Sequence, residues 1–138
     1  MEWMILPYRR YAEFSGRSRR KEYWMFALFN VAVAVAITAI FGQTTYTQSG
    51  MFASAFTNVT GVGGILLALF RLASFIPGLA VGVRRLHDQD RSGWLLLLLL
   101  VPILGWFALF VLMCLPGTVG PNRFGEDPKN PTPTEVFN

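Results

Sequence analysis

From Trp94 to Leu115 the chain runs twenty-two residues without a charged side chain, and Leu95 to Leu100 are consecutive leucines. Val62 to Val83 is an apolar run of the same length, interrupted by Arg71 alone. Between them lies Arg84-Arg85-Leu86-His87-Asp88-Gln89-Asp90-Arg91-Ser92-Gly93, which gathers five charged side chains and the chain's one histidine. A hydrocarbon layer about 30 Å thick accepts runs of about 20 apolar residues and rejects such a cluster. The spacing predicts two membrane segments joined by a short turn at a lipid–water boundary. Tyr23 to Phe41 is a third uncharged run, with Tyr23 and Trp24 at its entry, where amphipathic rings favour the interface. Only 14% of the residues are charged, against about 25% in soluble domains.

The expected fold is all-α: a helical integral membrane protein with about three transmembrane spans, near 23–41, 62–83 and 94–115. Pro102 and Gly105 should bend the third span, and since half of it is too short to cross alone, one kinked helix is expected. Pro77 should kink the second. Residues 1–22 hold six basic side chains interleaved with Trp3, Tyr8, Tyr11 and Phe14, a pattern suited to the headgroup layer. Gly42 to Gly61 has no charge and reads as a translocated loop, and 116–138 reads as an irregular tail rich in proline and glycine. A competing parse takes Met51 to Phe70 as the second span, which would bring Arg71 to a membrane surface. Basic residues crowd residues 1–22 and the Arg84–Arg91 turn and are missing from the loop between spans one and two. The positive-inside rule then puts the N-terminus and the charged turn in the cytoplasm, and three crossings put the tail in the periplasm.

Arg71 is the anomaly of the second span. A central arginine costs about 2.5–3.5 kcal/mol on the insertion scale, while each Leu, Ile, Phe or Val returns about 0.3–0.6. Twelve such residues between Val62 and Val83 outweigh it. An intramembrane charge is a candidate functional residue, here for a homo-oligomeric transporter or channel component, with Asn30 or backbone carbonyls as the nearest partners. The alternative is an arginine that reaches the outer headgroups. Ser74, Gly78 and Gly82 recur every four residues and offer a small-residue face for close helix packing.

The charged stretches support binding better than catalysis. Arg17, Arg19, Arg20 and Lys21 are expected on the same leaflet as Arg84, Arg85, His87, Asp88, Arg91 and Trp94. Guanidinium groups fork onto phosphate oxygens, which points to anionic phospholipid headgroups or a larger membrane partner. Glu22, Asp88 and Asp90 are expected to hold some of these arginines in place. The alternative is that the charges only enforce topology. His87, Asp88 and Ser92 are too close in sequence to form a convincing headgroup-modifying enzyme site. His87 and Cys114 are too few for a tight metal site, and no cofactor or nucleic acid is expected. Cys114 stands alone, so no internal disulfide forms.

Three blocks taken together resemble one family. They are Phe14-Ser15-Gly16-Arg17-Ser18-Arg19-Arg20-Lys21-Glu22-Tyr23-Trp24, the Arg84–Trp94 turn with its Arg-Arg-Leu-His-Asp core, and Gly117-Thr118-Val119-Gly120-Pro121-Asn122-Arg123-Phe124-Gly125-Glu126-Asp127-Pro128. In this order, with apolar runs between, they are similar to the domain-of-unknown-function 805 family of small bacterial inner-membrane proteins. The resemblance implies a bacterial cytoplasmic membrane protein with a few helical spans and carries no activity with it. Arg71 departs from the family pattern, where an uncharged residue is expected.

Overall fold

Among the described residues of the computed structural model seven elements follow one another: α1 (Glu2–Arg9), α2 (Arg20–Phe41), β1 (Gly42–Ser49), β2 (Phe52–Val59), α3 (Gly61–His87), a 3-10 helix (Gly93–Leu100) and α4 (Leu104–Cys114). The structure describes residues 2–49 and 52–129, with backbone alone at 46–49 and 52–56. Residues 130–138 of the expected tail lie outside the described residues. The chain divides into two compact units, Leu28–Phe75 and the pair Met1–Ala27 with Ile76–Asn138.

Among the described residues, α2 and α3 are the helices long and apolar enough to cross a membrane. A core helix of a soluble protein would be mostly buried, yet only 6% and 17% of their most apolar stretches are covered. Leu28, Val31, Val35 and Ile40 of α2, with Val62, Ile65, Leu69 and Leu72 of α3, are instead exposed. At about 1.5 Å per residue, the 22 residues of α2 and the 27 of α3 reach about 33 and 40 Å, enough for the hydrocarbon layer. The competing span over 51–70 does not form, because Phe52–Val59 is a strand and α3 begins only at Gly61.

In the unit Leu28–Phe75, the expected loop is a two-stranded antiparallel hairpin, paired from Gly42↔Val59 to Ser49↔Phe52. Its threonines and aromatics favour extended backbone, and Thr44 and Thr57 bond hydroxyl to hydroxyl across the strands at 3.0 Å. Gly63 lets α3 approach α2 closely, since a Cβ there would run into the Phe41 side chain.

The other unit holds the first turns of α2, the end of α3 and the third apolar run. Its core is Leu86, Leu109 and Met113, flanked by Tyr23, Leu95, Leu96 and Leu98. Ser74, Gly78 and Gly82 were expected to receive another helix. Two of these positions are covered within the chain, Gly78 by the Phe26 ring of α2 and Gly82 by Leu96 of the 3-10 helix. Ser74, in the unit Leu28–Phe75, is buried.

The third run departs from expectation. Trp94–Leu115 is not one kinked helix but a tight hairpin of the 3-10 helix and α4, which pack on each other. Pro102 supplies no N–H, and Ile103 takes a left-handed φ of 65°, so the chain reverses there. Gly105 sits where a Cβ would collide with the Leu98 carbonyl, and Trp106 Nε1 donates to the Leu99 carbonyl at 2.9 Å. Eight residues of 3-10 helix span about 16 Å and eleven of α-helix about 17 Å, so neither arm reaches across 30 Å of hydrocarbon. A bend at mid-depth was legible from Pro102 and Gly105. The completeness of the reversal came from Ile103, whose sequence gives no sign of it.

Candidate functional site

Gly16, at φ 82°, adopts the left-handed backbone that turns the chain after the N-terminal segment and delivers Arg17 inward. Ser18 N–H then donates to the Arg84 carbonyl at 3.0 Å and fastens this segment to the end of α3. Around that junction lie Arg17, Arg84, Arg85, Glu22 and Asp88, all buried.

Asp88 is the hub. Its Oδ1 accepts from Arg17 Nε at 3.0 Å, and its Oδ2 accepts from Arg85 Nη1 at 2.6 Å. Arg85 sits one helical turn before Asp88 and also donates to the carbonyls of Met113 and Leu115 at the end of α4. Arg17 spends its other nitrogens on the tail: Nη1 donates to the Gly120 carbonyl and Nη2 to the Thr118 carbonyl, each at 2.6 Å. The Asp88 carbonyl in turn accepts from Thr118 N–H at 2.8 Å. Arg84 Nη2 pairs with Glu22 Oε1 at 3.1 Å, and Glu13 lies 4.0 Å from its Nη1.

The tail closes over this hub. Asn122 Nδ2 donates to the His87 carbonyl at 2.9 Å, and the Phe124 ring stacks on His87 with centroids 3.8 Å apart. His87 Nδ1 meets the Gly16 carbonyl at 3.3 Å. Asn122 and Gly125 exchange backbone hydrogen bonds in a tight turn, and Gly120 N–H donates to Asp127 at 3.1 Å. The Lys129 and Gly120 amides hold the Asp127 carboxyl below its ordinary range. Gly117 has no side chain because Asp88 occupies the space a Cβ would need.

The three sequence blocks therefore meet in one place. The tail was expected on the opposite side of a membrane from Arg17, as three crossings require. In the structure the Arg17 guanidinium instead donates to the Thr118 and Gly120 carbonyls, so the tail and the N-terminal segment meet within one unit. The reversal at Pro102–Ile103 is the physical reason.

The expected binding residues separate into two kinds. Arg17, Arg84, Arg85 and Asp88 are buried and committed to one another, and His87 is half-buried under Phe124. Arg20, Lys21, Arg91 and Trp94 are exposed, and Arg19 is half-exposed. Arg19 and Lys21 stand over the Trp3 ring at 5.6 and 6.0 Å. Thr118 and Asn122 carry the closure yet were not singled out from the sequence. Their block's resemblance to a family motif was the available sign.

Arg71 belongs to the unit Leu28–Phe75. It borders a cavity of about 570 Å³, with Val31, Ala34 and Val35 of α2 on the apolar side and Thr38, Thr44 and Thr57 among the polar lining. Among the described residues no carboxylate pairs with Arg71, and no three His, Cys, Asp or Glu side chains gather as a metal site requires.

Comparison with known proteins bears on the same blocks. A family model described as a protein of unknown function (DUF805) matches residues 11–126. The inner membrane protein YhaI of Escherichia coli strain K12 is 43% identical over 130 residues, covering 94% of this chain and 97% of its own length. The inner membrane protein YhaH of the same strain is 40% identical over 129 residues, covering 94% and 98%. No solved structure matches.

Proposed function

The chain belongs to the DUF805 family, and from that premise we propose that it is a small inner-membrane protein that holds anionic lipid headgroups on a basic cytoplasmic face. Support comes from the division of labour among its cations. Arg17, Arg84 and Arg85 are buried as framework, whereas Arg20, Lys21 and Arg91 are exposed at the surface of the same unit without a carboxylate partner among the described residues, and Trp94, three residues after Arg91, is exposed too. Exposed cations at an anionic leaflet contribute about 1 kcal/mol each, and tryptophan prefers the headgroup level. In this reading α2 and α3 cross the bilayer and the Gly93–Cys114 hairpin enters and leaves from the cytoplasmic side. The N-terminus, the charged turn and the tail then share that side, where the positive-inside rule puts the basic residues.

Because Arg84 and Arg85 are buried, reversing their charge would unfold the unit rather than test binding. The informative variant replaces Arg20, Lys21 and Arg91 with glutamine. Retention of phosphatidylglycerol over phosphatidylcholine, read by mass spectrometry of protein released from mixed nanodiscs, should fall about tenfold or more. Unchanged retention with unchanged insertion would leave those charges a topological role alone.

A further inference from the structure

We infer that Arg71 and the cavity it borders form a binding site for an anionic amphiphile, a single negatively charged head on an apolar chain. The site lies wholly within the unit Leu28–Phe75 and stands independently of the basic cytoplasmic face.

The cavity has two characters. Val31, Ala34 and Val35 make an apolar wall along α2, and Arg71 with Thr38, Thr44 and Thr57 supplies a cation and three hydroxyls. Its volume, about 570 Å³, falls within the range of about 300–1,000 Å³ usual for small-molecule sites. Arg71 is the tenth residue after Gly61, about 15 Å along α3 at 1.5 Å per residue, so a helix that spans carries this charge well into its apolar length. Charged side chains at such depth are paired or face a polar cavity. Among the described residues no carboxylate neutralises Arg71.

The chemistry of the lining selects the ligand. A guanidinium forks onto the oxygens of a carboxylate or phosphate. The Thr44 and Thr57 hydroxyls, already 3.0 Å apart, share one hydrogen between them, which leaves the second free to donate to the same head. The apolar wall then takes the beginning of the chain. A zwitterionic head brings its own cation toward Arg71 and is disfavoured, and a neutral alcohol leaves the charge unmatched.

The test uses full-length protein with Arg20, Lys21 and Arg91 already replaced by glutamine, so that only the Arg71 site is read. Oleate and dioleoylphosphatidylglycerol are titrated into detergent-solubilised protein, with oleyl alcohol and dioleoylphosphatidylcholine as controls, and bound copies are counted by native mass spectrometry. One anionic amphiphile per chain should be retained over its control, and Arg71→Leu should weaken it at least tenfold. Arg71→Lys should keep part of the binding. Ala34→Phe should lose it by filling the cavity while the charge remains, which keeps the test valid should Arg71→Leu insert poorly. Retention of oleate alone names a carboxylate ligand, of phosphatidylglycerol alone a phospholipid, and of both the shared anionic head. Equal retention of anionic and control amphiphiles, or equal binding by Arg71→Leu and its parent, overturns the site.

Discussion

Replacing Asp88 with alanine should cost the protein about 3–5 kcal/mol, the usual loss when one partner of a buried ion pair is removed. The carboxylate is the shared acceptor of Arg17 and Arg85, at 3.0 and 2.6 Å, and all three side chains are almost wholly covered. Without it two buried guanidinium groups lose their ionic partner together. The other two buried carboxylates are already engaged, Glu22 with Arg84 and Asp127 with the Gly120 and Lys129 amides, so no spare anion takes its place. Denaturant unfolding in detergent micelles would measure the loss. Adding Arg85→Met to Asp88→Ala should recover part of it, because one fewer buried charge then stands alone. By contrast, Asp90→Ala should move stability by less than about 1 kcal/mol, since the Asp90–Arg123 pair is open to solvent.

Gly117→Val is expected to have the next largest effect, for steric rather than electrostatic reasons. A Cβ at Gly117 would run into the Asp88 carboxylate and lie 2.9 Å from the Asp88 carbonyl oxygen. The hub is fixed by Arg17 and Arg85, so the tail must give way. Arg17 would then lose its bonds to the Thr118 and Gly120 carbonyls, and Asn122 its bond to the His87 carbonyl. Overpacking of this kind costs about 1–3 kcal/mol. The protein should still insert, while amide exchange across Thr118–Asp127 accelerates and limited proteolysis cuts there first. Gly120→Ala, which meets nothing within 4 Å but sits at φ 80°, should show the smaller penalty of backbone strain alone.

Some of this was legible in the sequence. Apolar length marked α2 and α3, and the charges around Arg84 marked a boundary that apolar helices could not absorb. That Glu22 and Asp88 would hold some of the arginines followed from opposite charges expected on one leaflet, but which arginines they hold did not. What the sequence withheld was decided by backbone geometry and packing. Pro102 and Gly105 suggested a bend, but the depth of the reversal depends on Ile103 at a positive φ and on Gly105 against Leu98, neither of which hydropathy encodes. The expected position of the tail rested on the same reading, because a crossing at 94–115 sends it away from Arg17. The burial of Arg84 and Arg85 was hidden for a related reason. A basic run reads as a solvated or lipid-facing stretch until the carbonyls and carboxylates that surround it are brought in from elsewhere in the chain. The hairpin from Gly42 to Val59 was missed because its lack of charge outweighed its threonines and aromatics.

For the hub to form, the N-terminal segment, the charged turn and the tail must meet on one side of the membrane. Single cysteines placed at Ser15 and at Val119, in a chain carrying Cys114→Ser, can be labelled with a membrane-impermeant maleimide in intact cells and in inverted vesicles. Both positions are exposed, so access depends on side and not on burial. Labelling of both in inverted vesicles and of neither in intact cells is the predicted result. Labelling of Val119→Cys in intact cells while Ser15→Cys stays protected would contradict it, for the Arg17–Asp88–Thr118 hub could not then exist.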